Sequence, residues 1–352
     1  MLTRQLTIAI WFAVSADARA ALTIALSLSL SLVFIVAANA KGVEKKGLQR
    51  KAVELNSTAQ KPLLPISRII NFPKDYSLGT VHIIPYNPTH LGAWPHEAVS
   101  RHKAQGALPI RGDGVALLMG SYQLAENMSA LKTLKPNDLQ ILDMYRCEIE
   151  DKDIENITGL TGLIGLQLDD TEIGDSSLKP ISKLPNLNFL TLSSTQISGA
   201  NLSQLSSLKK LKRLELGHNL IKKENLKELI KLPQIEKLGL QGCKISDSDL
   251  ETIAKLDNLT VLMLLENDQI TDLGLKKLVS MKKLFLLEIT HARITPNGLK
   301  ALTKLPLSKL VLGKRQFTPS QFERIKKMFP HTEIAAYDNS ERMDPELFKP
   351  LH

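Results

Sequence analysis

The sequence predicts an α/β solenoid with a parallel β-sheet on its concave face and short helices on its convex face. Three observations support this fold class. Apolar residues recur at nearly constant steps along most of the chain, each step contains a short alternating segment typical of a strand, and an apolar stripe typical of a helical turn follows it. One such unit cannot bury its apolar side chains alone, so the units must stack on one another.

The repeat is defined by one Leu or Ile position that opens each unit. It falls at Leu139, Leu163, Leu187, Leu211, Ile235, Leu259, Leu284 and Leu307. The steps between these positions are 24, 24, 24, 24, 24, 25 and 23 residues. The segment VALLMG at 115–120 keeps the same register and is expected to begin the stack, and HTEIAAYD at 331–338 is expected to cap its other end.

Each unit combines two periods, as the segment LGLQGCKISDSDLETIAKL shows. Leu238 and Leu240 alternate with small or polar residues, which predicts a short strand whose leucines face the core. Leu250, Ile253 and Leu256 are three residues apart, which predicts a short helix or 3₁₀ turn.

Helix start signals lie between the two halves of several units. Ser, Thr and Asp side chains can accept hydrogen bonds from the free N–H groups of a first helical turn, and Pro suits the first helical position. The expected starts are Asp175, Ser246 or Asp247, Thr271 or Asp272, Thr295 before Pro296, and Thr318 before Pro319.

The repeat resembles that of leucine-rich-repeat proteins, and LIGLQLDDTEIGDSSLKPISKL at 163–184 is the segment most similar to their pattern. The resemblance covers about residues 136–330 and implies a right-handed solenoid, here expected in a bacterial protein. It also implies that the Asn, Cys or Thr after each strand turns inward and bonds the neighbouring loops.

The only two cysteines, Cys147 and Cys243, both occupy this position after the strand. They lie four units apart, which corresponds to about 20 Å at the usual strand spacing. A disulfide requires Cα atoms within about 7 Å of each other. We therefore expect two buried free thiols, and no CxxC motif suggests a metal site.

The N-terminal region contains a candidate membrane segment. Residues 20–38 carry no charge and would span about 28 Å as a helix. The sequence ANA at 38–40 favours cleavage of a signal peptide, whereas the basic residues of 41–51 favour an anchor with a cytoplasmic C-terminal side. We expect a membrane-anchored or secreted protein of the cell envelope, and a cytoplasmic-facing orientation remains the alternative.

These features divide the chain into five regions. They are a signal peptide or membrane anchor at 1–40, a polar linker at 41–60, a small β-rich N-terminal cap at 61–114, a leucine-rich-repeat domain with about eight repeats plus caps at 115–334, and a polar C-terminal tail at 335–352.

The predicted function is that of a non-enzymatic scaffold or recognition module, because no unit contains a nucleophile–base pair, a Gly-rich phosphate loop or a metal-ligand spacing. We expect no cofactor, no metal and a monomer whose partner is an unknown protein or peptide. The net charge is +9, but aromatic residues make up only 5% of the chain and no nucleic-acid motif occurs, which disfavours nucleic acid. The membrane is a further partner if residues 20–38 are retained.

An alternative places an enzyme or sensor activity in residues 61–113, with the repeats as a recognition domain. That region holds four of the eight histidines: His82, His90, His96 and His102. A metal site is conceivable, but the spacing of six between the last three does not place them on one helix face.

The expected binding site is the concave face of the sheet. The selected residues are Phe189, Arg213, Lys237, Val261, Met263, Leu265, Leu286 and Glu288. Four of these residues are apolar and are predicted to form a contiguous exposed patch: Val261, Met263, Leu265 and Leu286. Such patches usually mark contact surfaces. The alternative is that the C-terminal cap or neighbouring loops cover them.

Overall fold

The computed structural model describes residues 67–84, 98–111 and 114–337. All of them belong to the second of two units into which the chain divides, Ala59–His352. The predicted targeting segment at 1–40, the linker at 41–60, most of the tail at 335–352, and both His90 and His96 lie outside the described residues. Within the described ranges, every helix is too short or too polar to span a bilayer.

The main element is a 12-stranded sheet, and its parallel part is the sheet that the repeat predicts. The strands of the described residues are β1 (Ser67–Asn71), β2 (Gly79–Ile84), β3 (Ser100–Lys103), β4 (Ala107–Arg111), β5 (Val115–Gly120), β6 (Ile141–Asp143), β7 (Gly165–Gln167), β8 (Phe189–Thr191), β9 (Arg213–Glu215), β10 (Lys237–Gly239), β11 (Val261–Met263), β12 (Leu286–Glu288), β13 (Lys309–Gly313) and β14 (Glu333–Tyr337). The ten strands from β5 to β14 follow one another in parallel.

The sheet extends past β5, which the sequence predicted as its first strand. β2 pairs antiparallel with β5, and β3 pairs antiparallel with β2 at the edge. β1 and β4 form a separate antiparallel pair. The segment VALLMG therefore begins the parallel stack as β5 but is not the edge of the sheet, and β14 forms the opposite edge.

The repeat register aligns equivalent leucines across the strands. Leu190 pairs with Leu166 on one side and Leu214 on the other, and Leu214 pairs in turn with Leu238. All four have no exposed surface and belong to one continuous core. The prediction that these leucines hold successive units together is confirmed.

The second half of each unit is a short α or 3₁₀ segment. In the described residues the α segments are Tyr122–Glu126, Leu178–Ile181, Asp247–Ile253, Asp272–Leu275 and Pro319–Met328, and the 3₁₀ segments are Met128–Thr133, Asp151–Ile157, Asp175–Ser177, Leu202–Ser207, Lys223–Lys231, Lys276–Ser280 and Gly298–Lys304. Their buried aliphatic residues complete the core.

Three of the predicted helix starts are confirmed. Ser246 caps the helix that begins at Asp247, Thr271 caps the helix that begins at Asp272, and Thr318 caps the helix that begins at Pro319.

Of the other two predicted starts, one is also confirmed and one was wrong. The 3₁₀ segment Asp175–Ser177 begins at the predicted residue, with Gly174 before it. Asn297, not Thr295, precedes the segment Gly298–Lys304. In both cases the side chain is engaged by the adjoining unit. The Asp175 carboxylate accepts hydrogen bonds from the backbone of the next unit, and the Thr295 hydroxyl donates to Asp272 of the previous one.

Asp residues at the start of the helical half join consecutive units. Asp247 accepts hydrogen bonds from the Thr271 backbone N–H at 2.7 Å and from the Thr271 hydroxyl at 2.6 Å. Equivalent pairs join Asp272 to Thr295, Asp175 to Ser198, and Asp151 to Gly174. We call these contacts the Asp staples, and they add polar bonds between units to the apolar core.

Asn219 and Cys243, which occupy the Asn, Cys or Thr position after their strands, also join units, as the family resemblance implied. The Asn219 amide donates to the Leu192 carbonyl of the previous unit at 2.6 Å. The Cys243 thiol contacts the Leu216 carbonyl at 3.1 Å in the same way. Both cysteines are free and buried, and burial raises the pKa of each thiol to about 11. The predicted structural role of the cysteines is confirmed.

Candidate functional site

The sheet separates two sets of side chains. The middle residue of each repeat strand, such as Leu262 in β11, packs into the main core. The residues on either side of it, such as Val261 and Met263, belong to a separate cluster on the opposite side of the sheet. We call that opposite side the inner face, and it is the face predicted to be concave.

Four aliphatic residues form the inner apolar cluster: Val261, Met263, Leu286 and Val311. The sequence analysis correctly placed the first three side by side. Their expected exposure was wrong, because Val261 and Met263 are 0% exposed and Leu286 is 3% exposed. Neighbours in adjoining strands shield their flanks, and their outer ends are covered as well. Leu265, the fourth residue of the predicted patch, is half-buried and is not part of this cluster.

Several charged and polar residues of β9 and β10 and of the segment after β10 lie beside the inner apolar cluster. Arg213 Nε donates to Glu215 Oε1 at 2.9 Å, and Gln241 Nε2 lies 3.5 Å from Glu215 Oε2. Burial raises the pKa of Glu215, which the Arg213 charge partly offsets. Burial also lowers the pKa of Lys237 on the adjacent strand, and the Arg213 charge adds to that effect.

Gly239 creates the space for this group. A Cβ atom at this position would lie 1.7 Å from Glu215 Oε2. Any larger residue would therefore displace the carboxylate from its place beside Arg213.

Glu288 has a different environment from Glu215. It is buried on the inner face at the end of β12, and burial, with a smaller contribution from the Glu215 charge, raises its pKa to about 7. Its Oε2 has no hydrogen-bond partner among the described residues, and the same is true of Gln241 Oε1 and Thr290 Oγ1. Three acceptor oxygens are thus buried on one face, where each unmade hydrogen bond costs about 1–3 kcal/mol.

Phe189 begins the row of predicted site residues on the inner face. It is the direct partner of Arg213 in the adjoining strand, and the row continues through Lys237 and Val261 to Leu286. Its side chain packs in a separate inner-face cluster toward the N-terminal edge of the sheet, with Ile84, Val115, Leu117 and Ile141. The structure therefore brings Phe189 beside Arg213 but places it outside the inner apolar cluster, which begins three strand steps away, or about 14 Å at the usual spacing.

The residues selected from the sequence leave out several members of the inner face: Asp169, Glu215, Gln241, Thr290 and Val311. The repeat register places all five in inner-face positions. Their burial and their hydrogen bonding depend on neighbours one to three strands away, which no short motif records.

The histidines of the N-terminal region do not form a cluster in the described residues. His82 is buried in β2, whereas His102 is exposed in β3 with its Nε2 3.0 Å from the Ser100 hydroxyl. Across residues 67–84, 98–111 and 114–337, no three His, Cys, Asp or Glu side chains are arranged to hold a metal ion.

The chain has low sequence similarity to known proteins. No family model matches the chain, and no curated protein matches it. Among solved structures, an internalin (InlF) from Listeria monocytogenes has 19% sequence identity and a TM-score of 0.42, and the alignment covers 63% of this chain and 71% of that one. Internalin C2 from the same species has 22% identity and a TM-score of 0.42, with coverage of 61% and 92%.

The fold assignment rests on the repeats themselves. A 24-residue register, a continuous parallel sheet and inward-turned Asn and Cys residues between units occur together in the described chain. The fold is a leucine-rich-repeat solenoid. In this solenoid the repeated residues are used in the core, and the inner face carries the residues that vary from unit to unit.

Proposed function

We propose that this leucine-rich-repeat solenoid is a non-enzymatic protein-binding module that holds a protein or peptide partner on its inner face. The main support is the inner apolar cluster. Leu262 and Leu287 already fill the core side of β11 and β12, so the core does not require Val261, Met263 or Leu286 on the other side. A sheet face that meets only water is normally polar.

The charges around the cluster support a partner of mixed character. Arg213 and Lys237 lie on one side of it and Glu288 lies at its edge. Buried carboxylates on the same face, including Glu215, oppose binding of a phosphate backbone. Protein surfaces offer both charge signs together with apolar side chains, which suits this face better than nucleic acid does.

The proposed location is the cell envelope, either anchored or exported. This part of the proposal rests on the uncharged segment 20–38 and the ANA sequence at 38–40. Sequencing the N-terminus of the mature protein tests it, because a start at Lys41 indicates release and a retained Met1 indicates an anchor.

The binding role is tested by crosslinking-assisted capture from lysate of the source cells. Leu265→Asp changes the half-buried inner face, and Leu273→Asp is its matched control, since Leu273 is 64% exposed on the helical side. We expect one partner to be captured by the unmodified chain and by the control but lost with Leu265→Asp. Equal capture by both variants, with intact circular dichroism, would refute the assignment to this face.

A further inference from the structure

The loops that lead from each helical half into the next strand lie together on one side of the solenoid. Because the strands from β8 to β13 run parallel, the residues that precede them all meet where the strands begin. We call this the strand-entry side, and the opposite side, where the strands end, the strand-exit side. The entry loops of β8 to β13 are residues 182–188, 206–212, 230–236, 254–260, 279–285 and 303–308.

The two sides carry charge of opposite sign. The six entry loops contain nine lysines and two acidic residues, which gives a net charge of +7. The exit loops of the same units contain eight acidic and four basic residues, which gives a net charge of −4, and they are residues 168–175, 192–199, 216–223, 240–247, 264–272 and 289–297. The charge of these units is therefore polarised across the solenoid, and the strand-entry side is its basic side.

The lysines of the strand-entry side face the solvent. Two of them, Lys183 and Lys231, form exposed salt bridges with Glu155 and Glu228 of the helical halves. Lys212, which pairs with a glutamate of the next unit, is half-buried. The other eight are exposed and form what we call the lysine row: Lys183, Lys209, Lys210, Lys231, Lys255, Lys282, Lys283 and Lys304.

Four members of the lysine row bond neutral acceptors instead of carboxylates. Lys210 Nζ donates to Asn186 Oδ1 at 2.7 Å, and Lys283 Nζ donates to Asn258 Oδ1 at 2.6 Å, in each case across to the previous unit. The lysine immediately before each of them donates to a backbone carbonyl at 2.7 Å. These neutral acceptors hold the amines in place at the surface without cancelling their positive charges.

We propose that the strand-entry side docks on an anionic membrane surface and that the lysine row contacts lipid phosphates. The row extends over five strand steps, or about 24 Å, and equivalent loops of successive units lie side by side, so a flat surface meets several of them at once. Each lysine close to an anionic bilayer adds attraction that decays within about 8–10 Å at ordinary salt. The acidic strand-exit side is repelled by the same surface, which orients the solenoid.

The composition of the strand-entry side favours a membrane over a nucleic acid. All of its basic residues are lysines, which act as hydrated point charges, whereas arginines would offer paired donors to phosphates and bases. The only aromatic residue of the six loops, Phe285, packs against the inner apolar cluster and is not a platform for stacked bases. A diffuse array of amines suits the mobile phosphates of a lipid surface.

Membrane docking goes beyond the proposed binding of a protein partner, because it uses a different surface. The lysine row shares no residue with the inner-face set, so partner capture and membrane docking can fail separately. Docking is also distinguishable from insertion of the uncharged segment 20–38, since attraction to the lysine row depends on lipid charge and on salt.

Co-sedimentation of the full chain with lipid vesicles tests the proposal. One vesicle contains phosphatidylcholine alone, and the other contains equal parts of phosphatidylcholine and phosphatidylglycerol. The neutral vesicle measures any contribution of segment 20–38. We expect tighter binding to the anionic vesicle, and we expect this excess to disappear between about 0.05 M and about 0.5 M sodium chloride.

A charge-matched pair of variants assigns the binding to one side. Lys209→Gln, Lys210→Gln, Lys282→Gln and Lys283→Gln together should weaken binding to the anionic vesicle by about 10²–10³-fold, at about fivefold for each lysine. The control replaces four exposed basic residues of the strand-exit side with Gln, lowers the net charge equally and should change binding by less than about threefold: Lys222, Lys223, Lys244 and Arg293. Circular dichroism checks that both variants are folded.

Four results would overturn the proposal. The full chain could bind both vesicles equally at low salt, or bind neither of them. The two variants could lose binding equally, which would make net charge and not the strand-entry side responsible. Duplex DNA could displace the chain from the anionic vesicle at an equal concentration of phosphate, which would make nucleic acid the preferred polyanion. The salt series on the unmodified chain needs no variant and tests the electrostatic origin by itself.

Discussion

Replacement of Glu288 by Gln should stabilise the solenoid at alkaline pH and leave its stability nearly unchanged at acid pH. The pKa of Glu288 rises from its ordinary value of 4.5 to about 7, chiefly because the carboxyl is buried. Between these two values the folded chain holds a proton that the unfolded chain has released. The contribution of this group to the free energy of unfolding therefore falls as the pH rises from 4.5 to about 7.

The size of the effect follows from the shift. A difference of about 2.5 pH units corresponds to about 3 kcal/mol, which is an upper value because the chain can relax around the charge. Gln is close in shape to the protonated carboxyl and carries no charge, so Glu288→Gln removes this penalty. At about pH 8 the variant should be more stable by up to about 3 kcal/mol, and at about pH 4 the two proteins should be equally stable.

The assay is urea unfolding of both proteins, followed by circular dichroism across this pH range. Glu251→Gln is the matched control, because Glu251 is an exposed glutamate on the helical side whose pKa is lowered by hydrogen bonding to Lys277 and by the charge of that lysine. The control should give no gain in stability at alkaline pH. Equal stability of Glu288→Gln and the unmodified chain at about pH 8, or the same gain at both ends of the range, would refute the reasoning.

Three further predictions concern the units themselves. Gly239→Ala should destabilise the chain by about 1–3 kcal/mol in urea unfolding, because its Cβ would collide with the Glu215 carboxylate. Asp247→Ala should cost about 1–2 kcal/mol in the same assay, because it breaks one Asp staple and leaves the Thr271 backbone N–H unpaired. The Cys243 thiol, with a pKa of about 11, should react with a thiol reagent at neutral pH only after addition of denaturant, as read by absorbance.

Each of these predictions has its own control or contrary result. Gly159→Ala is the control for the first, since no atom lies within 4 Å of the added Cβ, and an equal cost at both glycines would contradict the steric argument. For the staple, Asp257→Ala removes an exposed carboxylate outside the staple positions and should cost less. Rapid labelling of Cys243 in the folded chain would show that this thiol is not held in the core.

The core could be predicted from the sequence because it depends on local periodicity. Leu238 faces the core since its unit repeats the pattern of every other unit, and stacking aligns it with Leu214. The adjacency of Val261 and Leu286 followed from the same register. Their burial could not be predicted, because the register gives the neighbours of a strand residue within the sheet and not what lies over it.

Polar residues that join one unit to the next were predicted less well than the apolar residues that form the core. Asp175 has the sequence signature of a helix cap, but its carboxylate bonds the next unit, 23 and 24 residues away. Glu288 and Glu215 influence each other across three strand steps. Such pairs depend on the angle and spacing of stacked units, which a single unit's sequence does not specify.

The Asp staples are unevenly distributed along the stack. The repeat places a carboxylate at Asp151 and Asp175 and again at Asp247 and Asp272, but the two equivalent positions between them hold Gly199 and Lys223. In a linear array, where each unit is stabilised chiefly by its nearest neighbours, the weakest junctions determine where the chain opens first. Under denaturant or mechanical load, this protein should therefore part near its middle into two blocks, each still folded, before either block unravels.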